Sequence, residues 1–193
     1  MACSTIIKGI SEVCGKGIGG LKEVWIGQYG TLTFTYEYFQ DLTDPDNPVD
    51  ILDADGNKIP ISISGATLAA GADTFQNFHF VKNTASATNT LNVSDNGANY
   101  FENAINMYFR RQDGDKRLSV QSLVEGETSA LVLDRNGNYW FYGLEDYLNV
   151  SEGTVETGSG PSDNNGYNIT LSVSESRLPL PVAAAAVSVI TGA

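Results

Sequence analysis

Leu131-Val-Leu-Asp-Arg-Asn-Gly-Asn-Tyr-Trp-Phe-Tyr-Gly143 decides the fold class of this chain. Two short runs of aliphatic and aromatic residues flank Arg135-Asn-Gly137. Asn-Gly supplies the positive φ that a tight hairpin turn demands, so residues 129–133 and 139–143 are expected to pair as antiparallel strands. Further on, Ser162-Asp-Asn-Asn-Gly-Tyr-Asn-Ile-Thr-Leu-Ser-Val-Ser-Glu175 repeats the grammar. A second Asn-Gly precedes a period-two strand with Tyr167, Ile169, Leu171 and Val173 inward. Pro179 and Pro181 end it, because neither can donate to a ladder.

The 193 residues suit one domain with arms. At that length about 70% of the unfolded surface can be buried, enough for a core without metal or disulfide staples. Gly, Ser, Thr and Asn abound and charged residues make up only 18%, a mainly β profile. The net charge of −12 speaks against gripping nucleic acid, which needs clustered Lys and Arg. Cys3 and Cys14, the two cysteines, are expected as reduced thiols in an N-terminal arm. The start lacks the basic and long apolar stretches of a secretory signal. The sequons at Asn92, Asn149 and Asn168 are expected by chance in such a composition.

Residues 1–20 read as a Gly-rich arm, residues 21–182 as the β domain and residues 183–193 as a second, Ala-rich arm. Gly15-Lys-Gly-Ile-Gly-Gly20 lacks the order of a phosphate loop. Thr31-Leu-Thr-Phe-Thr-Tyr-Glu-Tyr38 alternates cleanly, with Leu32, Phe34, Tyr36 and Tyr38 on one face. Residues 37–55 hold seven acidic residues and no basic one. A helix-loop-helix calcium loop needs Gly at its sixth position and Glu at its twelfth, and the run from Asp53 has neither. An Asp55-Gly56 turn into a strand at 58–63 fits better. Residues 75–81 read as a strand. With the polar 84–93 and the aromatic 100–109, turned at Asp95-Asn-Gly97, they form a long hairpin over 75–110. Phe101, Ile105, Met107 and Phe109 share its apolar face. The one expected helix is residues 115–125, capped by Asp113 or Asp115 and ended at Gly126. Residues 154–157 read as a short strand.

Catalytic chemistry has little to stand on. His79 is the only histidine, so no Ser-His-Asp set or zinc site assembles around it. Neither enzyme activity nor a cofactor is expected. Arg110, Arg111, Lys116 and Arg117 form a small basic cluster in an acidic chain, suited to contact with an acidic surface of a neighbouring subunit.

The order of these features resembles the major tail tube proteins of tailed bacteriophages. The resemblance covers most of the chain. It rests on the Cys-bearing arm before Gly19-Gly-Leu-Lys-Glu-Val-Trp25, the long aromatic hairpin and the single helix. It is strongest in Asp134-Arg-Asn-Gly-Asn-Tyr-Trp140 with Gly143, and in residues 162–171 followed by Glu175. The Ala-rich C-terminus departs from the pattern. The resemblance implies an antiparallel β-sandwich or barrel with one flanking helix. It further implies hexameric rings stacked into a tube in the virion tail, assembled in the host cytoplasm. Tape measure and tail-end proteins would be partners, and genomic DNA would pass the lumen without specific binding. Glu102 and Asn106, on the polar side of the long hairpin, would face that lumen. Other ring proteins of this type, such as a tail terminator, and a solitary β-sandwich binding carbohydrate are the alternatives.

Overall fold

The computed structural model of the chain describes residues 17–41, 49–52, 56–94, 99–160 and 162–192. Within them the fold is mainly β and antiparallel, built in three layers around a five-stranded sheet. That sheet orders β13 (Leu180–Pro181), β10 (Tyr139–Tyr142), β9 (Thr128–Asp134), β1 (Leu21–Gln28) and β6 (Gln76–Asn77). The hairpin read from residues 131–143 is its centre, with Tyr139 opposite Leu133 and Tyr142 opposite Ala130. Gly137 turns it at φ 93°.

β9 is buried on both faces. Ala130 and Val132 enter one core and Leu131 the other. This explains its unbroken apolar run, since only a strand covered twice has no polar alternation. The first core is closed by a four-stranded sheet ordered β11 (Asn149–Glu156), β12 (Gly166–Glu175), β8 (Asn99–Arg110) and β7 (Ser86–Val93). Its inward set includes Ile105, Met107 and Phe109 from β8 and Tyr167, Ile169, Leu171 and Val173 from β12. The second core lies under the ribbon of β2 (Leu32–Tyr38) and β5 (Pro60–Leu68). Phe34 meets Phe141 there edge-on at 4.7 Å between centroids, a favoured aromatic geometry.

Helix α1 (Gly114–Glu125) starts at Asp113, whose Oδ1 accepts from the Lys116 backbone N–H at 2.9 Å, and ends at Gly126. Leu123 is its buried anchor. A second helix corrects the expected C-terminal arm. α2 (Ala184–Thr191) buries Ala186 and Ile190 completely in the second core. Small alanines let the helix approach β5, and Ala183 N donates to Ile63 O at 2.8 Å. The expected strand at 75–81 shrinks to Gln76–Asn77, because Phe75 and Phe78 turn into different cores. The long hairpin therefore begins at Ser86. β11 is longer than expected, starting at Asn149. The short pair β3 (Gln40–Asp41) and β4 (Val49–Asp50) flanks the acidic excursion. Cys3, Cys14, most of the N-terminal arm, Asp55 and the Asp95-Asn-Gly97 turn lie outside the described residues.

One polar lock sits inside the apolar body. Glu175, at the end of β12, is 4% exposed. Its Oε1 accepts from Leu144 N at 2.6 Å and Glu145 N at 2.9 Å, and its Oε2 from Asn103 Nδ2 at 2.8 Å. A buried carboxylate is tolerable only with its lone pairs engaged in this way. The lock ties β8 and β12 to the loop leaving β10.

Candidate functional site: the polar face of the four-stranded sheet

The strand register fixes what the four-stranded sheet shows outward, since residues directly opposite in an antiparallel pair share a face. Across β7, β8, β12 and β11, one row reads Ser86, Asn106, Thr170, Glu152. The next reads Thr88, Ala104, Ser172, Asn149, and the one beyond it Thr90, Glu102, Ser174. On the other side, Tyr108, Asn168 and Thr154 align, and then Arg110, Gly166 and Glu156. The result is a carpet of short hydroxyl and amide side chains. It carries Glu102, Glu152 and Glu156 against one cation, Arg110.

Glu102 and Asn106, the residues expected on a polar hairpin side, both stand on this face. Glu102 is exposed and Asn106 is half-buried. Asn106 Nδ2 donates to Asn168 Oδ1 at 3.2 Å and to Thr170 Oγ1 at 3.0 Å. The amide is thus spent on its neighbours, which flattens the surface and removes a free donor. The rest of the face was within reach of the sequence: once Tyr167, Ile169, Leu171 and Val173 point inward, Asn168, Thr170, Ser172 and Ser174 must point outward. Such polar contacts add little to the core. Asn106→Ala is expected to change unfolding stability by less than about 1 kcal/mol, checked by urea denaturation.

The basic cluster gathers at one end of this sheet and on the adjoining helix. Lys116 is the inward-turned member. Its ammonium pairs with Asp113 at 2.9 Å and donates to Arg110 O at 2.9 Å and Arg111 O at 3.3 Å. It therefore holds the β8–α1 corner together. Arg111, at φ 67°, makes that corner, with its N–H on Asn165 O at 2.6 Å. Arg110, Arg111 and Arg117 are exposed and form no ion pair among the described residues.

A cleft of about 680 Å³ opens between α1 and the end of β1. Ile26, Phe78, Phe109, Val120 and Leu123 form its floor, and Gln28, His79, Lys116 and Glu127 its rim. Comparison with protein-family models, with curated proteins and with solved structures gave no match.

Proposed function

We propose that this chain is a structural subunit of a bacteriophage tail tube, forming hexameric rings that stack around a channel for genomic DNA. The observation that carries this reading is the outer face of the four-stranded sheet. It is broad, short-chained and acidic, with Arg110 as its one cation. Such a wall offers duplex phosphates no ladder of Lys and Arg, the groups that hold DNA by releasing its counterions. Glu102, Glu152 and Glu156 repel it within roughly the 8 Å Debye length of physiological salt. Asn106 and its partners line the wall with groups already hydrogen-bonded to one another.

Two further features support assembly. β7 and β11 are the edges of the four-stranded sheet. An open edge invites pairing with another strand. Joining the β7 side of one copy to the β11 side of the next is a head-to-tail contact, which closes into a ring when the rotation permits. The sheets of six copies then make one barrel whose polar face is the lumen. The second feature is the exposed Arg110, Arg111 and Arg117, free to meet the acidic surface of a neighbour in a chain of net charge −12. The role assigned is structural, with no catalysis and no cofactor.

Negative-stain electron microscopy of the purified chain tests this directly. Rings and stacked tubes with a central channel are the expected result. Isolated rings that never stack would favour a terminator-type ring protein. A protein that stays monomeric at high concentration would remove the tube reading and leave a solitary binding module.

A further inference from the structure

The two edges of the four-stranded sheet are matched to each other. β11, β12, β8 and β7 alternate in direction, so β11 and β7 run oppositely. A copy related by rotation about a ring axis therefore sets its β11 antiparallel to β7, with no strand reversed. The facing rows share one grammar. On the core side β7 carries Ala87, Asn89 and Leu91, and β11 carries Val155, Gly153 and Val150. Each edge leaves an apolar side chain bare there: Leu91 is 52% exposed and Val155 58%. On the polar side both edges carry exposed threonine, Thr88 and Thr90 on β7 and Thr154 on β11.

Pairing like faces leaves registers two residues apart, because a slip of one sets a polar row against an apolar one. The chain's own rows supply the reference. Val150, Leu171, Ile105 and Ala87 stand in line across the sheet. Closing a barrel displaces the neighbour's Val150 along β7 from that line. At Leu91 it is displaced by four residues over the four strands of one copy. One residue per strand is the stagger at which eight strands close with a tilt of about 36°, inside the usual barrel range of about 35–45°. The same displacement in the other direction runs off the start of β7 at Ser86.

That register also matches the chemistry. Leu91 meets the neighbour's Val150, and Ala87 meets its Val155, the apolar cross-strand pairs that stabilise sheets. Asn89, hydrogen-bonded to Tyr142 of its own chain, meets Gly153 and faces no apolar side chain. One register back, Asn89 would meet Val150 and Leu91 would stay bare. One register forward, Asn89 would meet Val155. Charges agree as well. The neighbour's Glu152 and Glu156 face Thr90 and Ser86, so no like charges stand opposite. Beyond Glu156 the neighbour's chain passes the turn that enters β7, where Lys82 is exposed and forms no ion pair among the described residues. Asp163, which accepts from the Ser159 and Gly160 N–H groups, brings a carboxylate to that side.

We propose that β7 of one copy pairs antiparallel with β11 of the next in a single register, with Leu91 opposite Val150 and Thr88 opposite Thr154. The proposal rests on the ring reading and adds to it the contact that joins the copies. Directly opposite residues lie about 4.5–5.5 Å apart between Cα atoms, within disulfide reach. Within one chain Thr88 and Thr154 are three strands across and four residues along, about 20 Å apart, so any bond between them joins two chains. In a full chain with Cys3→Ser and Cys14→Ser, the pair Thr88→Cys and Thr154→Cys is expected to give a ladder of linked chains on a non-reducing gel after mild oxidation. Both threonines are exposed, so the substitutions leave the core intact. Thr90→Cys with Thr154→Cys stands one register away, at about 8 Å, and is expected to give less than about a tenth of that yield. Leu91→Cys with Val150→Cys repeats the test on the core side and is expected to link chains as the Thr88 pair does. Rings in electron micrographs whose chains link through the Thr90 pair, or through none of these pairs, would overturn the register and leave the ring reading standing. A chain that forms neither rings nor links would overturn both.

Discussion

Gly166→Ala is expected to destabilise the fold by about 3 kcal/mol, the upper end for forcing atoms into a filled space. For a chain of this size that corresponds to a fall of roughly 6–12 °C in Tm. The reason is contact. A Cβ on Gly166 would stand 2.1 Å from the Phe109 carbonyl oxygen and 3.1 Å from Tyr108 Oη. The oxygen belongs to the backbone of β8, so no rotamer change clears it. Relief requires β8 and β12 to separate where Gly166 pairs with Arg110, at the corner held by Arg111, Asn165 and Lys116. Thermal melts and urea curves on both proteins measure the cost. An alanine variant melting within about 2 °C of the parent would show that the strands tolerate separation.

Gly166 also marks where sequence reasoning met its limit. Asn136-Gly137 and Asn165-Gly166 look alike on paper. The first is a hairpin turn, with Gly137 at φ 93°. The second is no turn of that kind: Gly166 opens a strand and is required by the closeness of β8. A dipeptide reports conformational freedom, whereas closeness depends on a partner far away in sequence. β12 was legible because its period-two alternation is set by its own two faces, and β9 because an apolar run beside an Asn-Gly turn reads as one arm of a hairpin. The strand over 75–81 was misread because aromatic spacing says nothing about which core each ring enters. Helix α2 was present as Ala183, Ala186, Val187 and Ile190, a helical spacing obscured by an alanine run that reads as low complexity. Asn103 escaped notice because an amide among apolar neighbours gains its meaning only from Glu175, 72 residues away.

The outer face was legible for a different reason. Its residues are the complement of the inward set, so naming the core of β8 and β12 names the face. Only the first part of β11 needed the structure: residues 154–157 read as a short strand, whereas Val150 and Gly153 are inner positions too weakly apolar to announce its start at Asn149. A sheet edge with so little core behind it draws little stability from its own side chains, and β11 rests largely on its pairing with β12. In the proposed ring, a neighbour's strand would add a second pairing to this edge, and assembly would then stabilise the subunit.

Asp134→Ala is expected to cost about 3 kcal/mol at neutral pH, because one carboxylate organises the whole β9–β10 turn. Its Oδ1 accepts from the Asn136 and Asn138 backbone N–H groups at 2.8 and 2.9 Å. Its Oδ2 accepts from Asn138 Nδ2 at 3.1 Å and from Trp140 Nε1 at 3.2 Å. Partial burial pushes the Asp134 pKa up, but these four donors outweigh it and hold the group below the usual aspartate value. A depressed folded pKa means that the ionised carboxylate stabilises the fold above the unfolded value of about 3.9, and that this contribution fades as pH falls through the folded value. Glu145 behaves alike: burial raises its pKa, and hydrogen bonds from Ser176 with the Arg177 charge bring it below the ordinary range. The parent is therefore expected to lose stability below about pH 4. Asp134→Asn isolates the share of Asp134, since Glu145 titrates in both proteins. Asparagine retains one acceptor for the turn but places an amide nitrogen against two donors, an expected loss of about 2 kcal/mol at pH 7. Urea midpoints measured from pH 7 down to about pH 2.5 are expected to converge for the parent and the asparagine variant. Parallel curves over that range would mean that the charge on Asp134 contributes nothing and that shape alone holds the turn.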